Sequence, residues 1–122
     1  MRTILAAFVM ALLAAGCSSG QNGVRVASTP YADGRGHTEP VNYNGRNYRV
    51  SFRYRPAISG YLVEVSAPGR ALGATPGDRA IVEQVASSTV RHFGCPGSQK
   101  GRIIPGSQKH VKGKWVMQAR CM

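Results

Sequence analysis

Acidic residues are scarce in this sequence, and their scarcity limits the chemistry available to it. Five carboxylates stand against sixteen lysine and arginine side chains. The five are Asp33, Glu39, Glu64, Asp78 and Glu83. A glycosidase needs two carboxylates that face one cleft, and these five fall in segments with different predicted roles. No GxSxG or Cys-His signature of a nucleophilic hydrolase accompanies them. We therefore expect no catalytic residue, and a hydrolase using Glu64 or His110 stays a minority alternative.

Cysteine is also rare, which argues against a metal centre. The chain has three cysteines, Cys17, Cys95 and Cys121, and none of them forms a CxxC-type ligand pair. His92 and His110 lie in the same part of the chain as the last two, but without the spacing of a ligand set. The sequence therefore predicts neither a metal nor another cofactor.

Long hydrophobic runs are limited to one, at the very start of the chain. Residues 4–15 are an unbroken apolar run, ILAAFVMALLAA. As a helix this run rises about 18 Å, whereas a membrane-spanning helix needs about 20 apolar residues. Arg2 precedes the run and the small residues 14–16 end it. A charged start, a short apolar centre and small residues at the end are typical of a secretory signal.

Cys17 lies directly behind these small residues, in the stretch LLAAGCSSG at positions 12–20. This stretch resembles the lipobox of bacterial lipoproteins, and the resemblance covers residues 1–17 only. It implies cleavage before Cys17, a diacylglyceryl group on its sulfur, and commonly a fatty acyl chain on the new amine. The alternative is an ordinary secretory cleavage near Gly16. Beyond the signal, the sequence resembles no characterised family.

The resemblance also implies a domain organisation and a location. Residues 1–16 are then a signal peptide, residues 17–40 a lipidated and flexible tether rich in Gly, Ser and Pro, and residues 41–122 a small domain. Each buried methylene contributes about 0.8 kcal/mol, so two or three acyl chains anchor a protein stably in a membrane. Ser18, in place of aspartate, implies export to the outer membrane in a Gram-negative host. In a Gram-positive host the protein would stay on the plasma membrane.

With Cys17 assigned to the lipid, Cys95 and Cys121 remain as a pair. An even pair in an oxidising envelope compartment predicts a disulfide. It would close a loop of about 26 residues and contribute roughly 3 kcal/mol to stability in the chain-entropy model. Two buried free thiols are the alternative.

The pattern after Val41 predicts an α+β fold, a small antiparallel sheet with one helix packed on it in the order β-β-α-β-β. Period-two alternation after the Asn44-Gly45 turn signal indicates a half-buried strand. Strands are predicted at 47–55, 61–67, 102–104 and 114–121. The pentapeptide PGSQK occurs at 96–100 and again at 105–109, and this repeat predicts two matching turns around the third of these strands.

The single predicted helix has clear start and stop signals. Thr75 is a capping residue, Pro76 suits the first helical position, and Asp78 complements the positive end of the helix. Gly94 is a plausible stop. Apolar residues between them recur in steps of three and four, so one face of this helix should pack on the sheet. That face comprises Val82, Val85, Ala86, Thr89, Val90 and Phe93.

The positive charge is the strongest pointer to a partner. The formal net charge is +11, and arginines outnumber lysines, which suits phosphate or carboxylate groups. The predicted polyanion-binding residues are Arg46, Arg49, Arg53, Arg55, Lys112, Lys114 and Arg120. Further basic residues of the C-terminal region, among them Arg102 and Lys109, would join this surface if the terminal strands belong to the same sheet. Arginines that merely protect an exposed strand against edge pairing are the alternative.

These observations predict a non-catalytic envelope lipoprotein that presents a basic surface to anionic envelope material, namely lipopolysaccharide phosphates or peptidoglycan carboxylates. The alternative is a protein-interaction subunit of an envelope assembly such as a secretion or conjugation machine. Nucleic acid is not the predicted partner, because aromatic stacking platforms do not alternate with the arginines.

Overall fold

The computed structural model describes Tyr31 and residues 33–122. Within them the chain forms six strands and one helix in the order β-β-β-α-β-β-β. The elements are β1 (Gly36–Tyr43), β2 (Arg46–Arg55), β3 (Gly60–Ser66), α1 (Pro76–Gly94), β4 (Gly101–Ile103), β5 (Lys109–Val111) and β6 (Lys114–Cys121), with a 3-10 turn at Pro56–Ile58. The predicted signal peptide, the lipidation site Cys17 and most of the predicted tether lie outside the described residues.

The α+β class, with one helix and an antiparallel sheet, is confirmed, but the order β-β-α-β-β is wrong because it lacks β1 and β5. β1 begins at Gly36, within the segment predicted as tether, and it carries Pro40 in mid-strand. Proline is tolerated there because β1 is an edge strand, paired on one side only. β5 has three residues, all exposed, so it shows no apolar alternation.

The last strand of the chain lies in the middle of the sheet. The order is β1-β2-β3-β6, and both β4 and β5 pair with the far side of β6. All of these pairings are antiparallel. Two tight hairpins help to set the register: Asn44 and Gly45 have φ values of 52° and 75°, and Lys112 and Gly113 have 51° and 79°. Positive φ at both turn residues is typical of type I′ hairpins.

One face of the sheet packs against α1 and forms the core. The predicted alternation of β2 is confirmed, since Tyr48, Val50 and Phe52 are buried while Arg49 and Arg53 are exposed. The helix stripe is also confirmed, except that Phe93 is only partly buried. The core side chains of the strands and the helix are Tyr48, Val50, Phe52, Tyr61, Val63, Val65, Val82, Val85, Ala86, Val90, Trp115, Met117 and Ala119.

The start of α1 is fixed by the capping box that the sequence predicts. The Asp78 backbone N–H donates to the Thr75 hydroxyl oxygen at 3.1 Å, and the Thr75 backbone N–H donates to the Asp78 carboxylate at 3.2 Å. Hydrogen bonds from the Thr75 hydroxyl and backbone lower the pKa of Asp78. Two otherwise unsatisfied N–H groups are thereby paired.

The end of α1 is fastened to the sheet by two contacts. The predicted Cys95–Cys121 disulfide is present, with the two Cα atoms 5.4 Å apart. Beside it, the hydroxyl of the fully buried Tyr61 donates to the Gly94 carbonyl oxygen at 2.6 Å. Gly94 is needed at this position because a Cβ would lie 3.0 Å from the Tyr61 ring. We call these two contacts the clamp.

The two PGSQK copies form different turns, so the prediction of matching turns is wrong. In the first copy the Gln99 N–H donates to the Pro96 carbonyl oxygen, which makes proline the first residue of the turn. In the second copy the Ser107 N–H donates to Ile104, which makes proline the second residue. The flanking strand therefore decides the turn register for an identical pentapeptide.

The hydroxyl of Tyr61 gives a testable pH dependence. Burial, with smaller contributions from Tyr54 and Tyr31, raises the pKa of Tyr61 to about 12. Because the unfolded value is about 10, the neutral hydroxyl contributes stability below pH 10 that is lost as the pH rises towards 12. Tyr61→Phe should lower the unfolding free energy at pH 7 by about 1–3 kcal/mol, since it leaves the Gly94 carbonyl unpaired, and should weaken the alkaline loss of stability.

Urea unfolding between pH 7 and pH 12 measures the unfolding free energy of the wild type and of Tyr61→Phe. Tyr54→Phe is the control, since Tyr54 lies beside Tyr61 in the same aromatic cluster. Identical stability of Tyr61→Phe and the wild type at both ends of this range would contradict the assignment.

Candidate anion-binding face

The helix covers one face of the sheet only. The side chains on the other face alternate with the buried ones along each strand, and no element of the described residues packs over them. We call this surface the open face. Since successive strand residues point to opposite faces, the register of the pairs decides which predicted residues reach it.

Five of the seven predicted basic residues lie on the open face. They are Arg49, Arg53 and Arg55 of β2 and Lys114 and Arg120 of β6. All five are exposed. Because β6 pairs with β3, and β3 with β2, these two groups of side chains share one surface. The C-terminal strands therefore do join the same sheet, as a continuous basic surface requires.

The other two predicted residues lie elsewhere. Arg46 follows the same alternation as the buried Tyr48 and so belongs to the helix side, where it lines a cleft of about 420 Å³. In that cleft the Arg70 guanidinium lies 5.3 Å from the centre of the Tyr48 ring. Lys112 occupies the tight turn between β5 and β6. Neither residue is part of the open face.

Carboxylates do little to neutralise the open face. Its single acid among the described residues is Glu64, which pairs with Lys114 at 3.3 Å. The other described acids have other partners: Asp33 pairs with Arg35, Glu39 with His37 and Glu83 with Arg79, and Asp78 belongs to the helix cap. Within residues 33–122, no open-face arginine forms an ion pair with a carboxylate.

Two of the arginines are oriented by backbone carbonyl groups. Arg120 donates from Nε to the Ile58 carbonyl oxygen at 3.0 Å, and Arg53 donates from Nη1 to the carbonyl oxygen of Gly34. A guanidinium carries five N–H donors, so each arginine keeps most of its donors for another acceptor. These bonds hold the side chains in place without neutralising their charge.

The middle of the open face is shallowly concave. A cleft of about 300 Å³ is lined there by Thr38, Ser51, Arg53, Leu62, Glu64 and Val116, among others. The hydroxyl groups of Thr38 and Ser51 are hydrogen-bonded at 2.9 Å. Arg53 lines this cleft, and Lys109 of β5 is paired with Val116 on the same face. Basic side chains therefore extend from Arg49 at one end of the face to Arg120 at the other.

Arg102 is a basic residue of this face that the predicted set of seven omits. β4 pairs with β6 in a register that sets Arg102 directly opposite Arg120. Arg102 lies in a three-residue strand between two turns, so local sequence pattern cannot rank it above its basic neighbours. Only the pairing of β4 with β6 shows that Arg102 lies beside Arg120.

The minority catalytic candidates do not share a cleft. Glu64 lies on the open face, whereas His110 pairs across from the buried Trp115 on the helix side. There His110 donates from Nε2 to the Leu72 carbonyl oxygen at 2.7 Å. In the part of the chain that the structure describes, no three His, Cys, Asp or Glu side chains are grouped to hold a metal ion. Nor does that part contain a helix with the length and apolar character to cross a membrane.

Comparison of the chain with protein families, curated proteins and solved structures found no match.

Proposed function

We propose that this protein is a non-catalytic lipoprotein of the bacterial cell envelope, anchored by lipid on Cys17, whose open face binds anionic envelope material. The observation that supports it best is a continuous basic face whose arginines have no carboxylate partner among the described residues. Such a face attracts anionic polymers and lipid head groups.

Protection of sheet edges does not account for these arginines. Charged residues often blunt an exposed edge strand against pairing with another chain. Arg49, Arg53 and Arg55, however, lie on β2, which is paired with β1 on one side and β3 on the other. Arg120 lies on β6, which is likewise paired on both sides. Interior strands have no edge to protect, so anion binding is the better explanation.

The composition of the face favours oxyanions over other anionic groups. Arginine presents a planar fork of donors that matches the oxygens of phosphate and carboxylate, and it is always charged. Lipopolysaccharide phosphates and peptidoglycan carboxylates are the envelope groups of this chemistry. A lipid anchor would hold the domain close to both.

The anchor is tested by Cys17→Ser in cells. We expect this change to prevent lipidation and to remove the protein from the membrane fraction, because the acyl chains supply the binding free energy. Labelling with a radioactive or clickable fatty acid, followed by fractionation, measures both effects. Continued labelling and membrane association of the variant would contradict the anchor.

The basic face is tested by two variants that lose the same number of charges. Arg49, Arg53 and Arg55 are changed to Gln in one full-length protein, and Arg70, Arg79 and Arg91, which lie off the open face, in the other. Heparin serves as the polyanion probe, with the proteins purified in neutral detergent. On a duplex-like polyanion, each lost contact lowers the salt dependence of binding by about one log–log unit. We expect the log–log slope to fall by about 2–3 units for the open-face variant and to change little for the other.

Equal losses in the two variants would mean that net charge alone drives retention. Absence of wild-type binding at low salt would reject the proposed function altogether.

A further inference from the structure

Two arginines face each other across a strand pair at one end of the open face. Arg102 of β4 and Arg120 of β6 are directly opposed in the register. Side chains in this position have Cβ atoms about 5 Å apart, and like charges there destabilise the sheet. No described carboxylate is ion-paired with either residue. The fold thus tolerates a repulsion that a bound anion would relieve.

Arg55 extends this pair to a row of three. Arg55 of β2 pairs with Gly60 of β3, and the Arg120 side chain lies over the same glycine. A Cβ on Gly60 would lie only 2.9 Å from Arg120 Cγ and 2.5 Å from the Ala119 carbonyl oxygen. Glycine at position 60 therefore leaves room for Arg120 to lie between its neighbours. We call Arg55, Arg120 and Arg102 the arginine row; it spans three strand spacings, about 14 Å.

The row lies at the most firmly fastened end of the sheet. Cys121 follows Arg120 in β6 and pairs with Gly101, which precedes Arg102 in β4. The clamp holds these strands from the helix side, through the disulfide at Cys121 and the hydrogen bond of Tyr61 to the helix end. On the open side, the Ile58 carbonyl orients the Arg120 guanidinium. Binding groups held in this way lose less entropy when a ligand binds.

We propose that the arginine row is a binding site for phosphate groups, and specifically for a ligand that carries at least two of them. This inference rests on the proposed function and chooses between its two envelope ligands. A phosphate monoester carries a charge of about −1.5 to −2 and three acceptor oxygens, whereas a carboxylate carries one charge and two oxygens. Three uncompensated guanidinium groups along about 14 Å match two phosphates better than the dispersed carboxylates of peptidoglycan.

Calorimetric titration of the full chain in neutral detergent tests this choice. The probes are pyrophosphate and citrate, which have similar charge but offer phosphate and carboxylate oxygens respectively. We expect pyrophosphate to bind about tenfold more tightly, as one additional charge-assisted hydrogen bond would provide. Arg55→Gln, Arg102→Gln and Arg120→Gln should each weaken pyrophosphate binding by about tenfold.

The matched control is Arg49→Gln. Arg49 lies on the same strand and the same face as Arg55, about 20 Å away along β2, and it should change pyrophosphate affinity less than about twofold. Equal affinity for pyrophosphate and citrate, or an equal loss in Arg49→Gln and Arg55→Gln, would overturn the phosphate site. The heparin comparison would still stand in that case, so failure of the site is distinguishable from failure of the proposed function.

Arg102→Glu separates loss of the site from loss of the fold. It sets a carboxylate opposite Arg120, which replaces a repulsive cross-strand pair with an attractive one. We expect an unchanged or raised melting temperature together with loss of pyrophosphate binding. A variant that melts normally and still binds pyrophosphate would overturn the site.

Micelles containing phosphatidate identify the source of the phosphate. Competition between these micelles and pyrophosphate would assign the row to a lipid headgroup. Binding of pyrophosphate without such competition would support the site as one for a soluble phosphate compound.

Discussion

The clamp between the end of α1 and the sheet is the constraint on which the rest of this structure depends. The disulfide joins Cys95, just after the helix, to Cys121 at the end of β6, and the Tyr61 hydroxyl pairs the Gly94 carbonyl. In a small domain a crosslink over this separation contributes roughly 3 kcal/mol in the chain-entropy model, a large share of a typical total. The clamp holds the helix on one face, and β4 and β6 are thereby fixed with it.

Because the helix packs on one face of the sheet, the other face is exposed and available to bind a partner. The chain places basic residues there on interior strands, and it places its acids in caps, hairpin edges and local pairs instead. The open face consequently keeps a positive charge, although Glu64 and Lys114 compensate each other. Fold and charge distribution together support the proposal that this face binds phosphate-bearing material.

The parts of this structure that local pattern specifies were predictable, and the parts set by long-range pairing were not. The alternation around Tyr48, the capping box at Thr75 and the cysteine pair each follow from neighbouring residues or from counting. β1 and β5 were not predicted because both lie at an edge of the sheet. β1 is half-exposed and contains Pro40, whereas β5 is short, exposed and partly basic. The site divides in the same way: alternation with Tyr48 already assigns Arg46 and Arg49 to opposite faces, but only the β4–β6 register brings Arg102 opposite Arg120.

Amide hydrogen exchange before and after reduction of the disulfide tests the role of the clamp most directly. The full chain in neutral detergent is compared with and without a phosphine reductant, and complete reduction is verified by mass. The account predicts faster exchange in β4 and in the last residues of β6, where the arginine row lies, with little change in the β1–β2 hairpin. Equal protection of β4 and β6 in the oxidised and reduced proteins would contradict it.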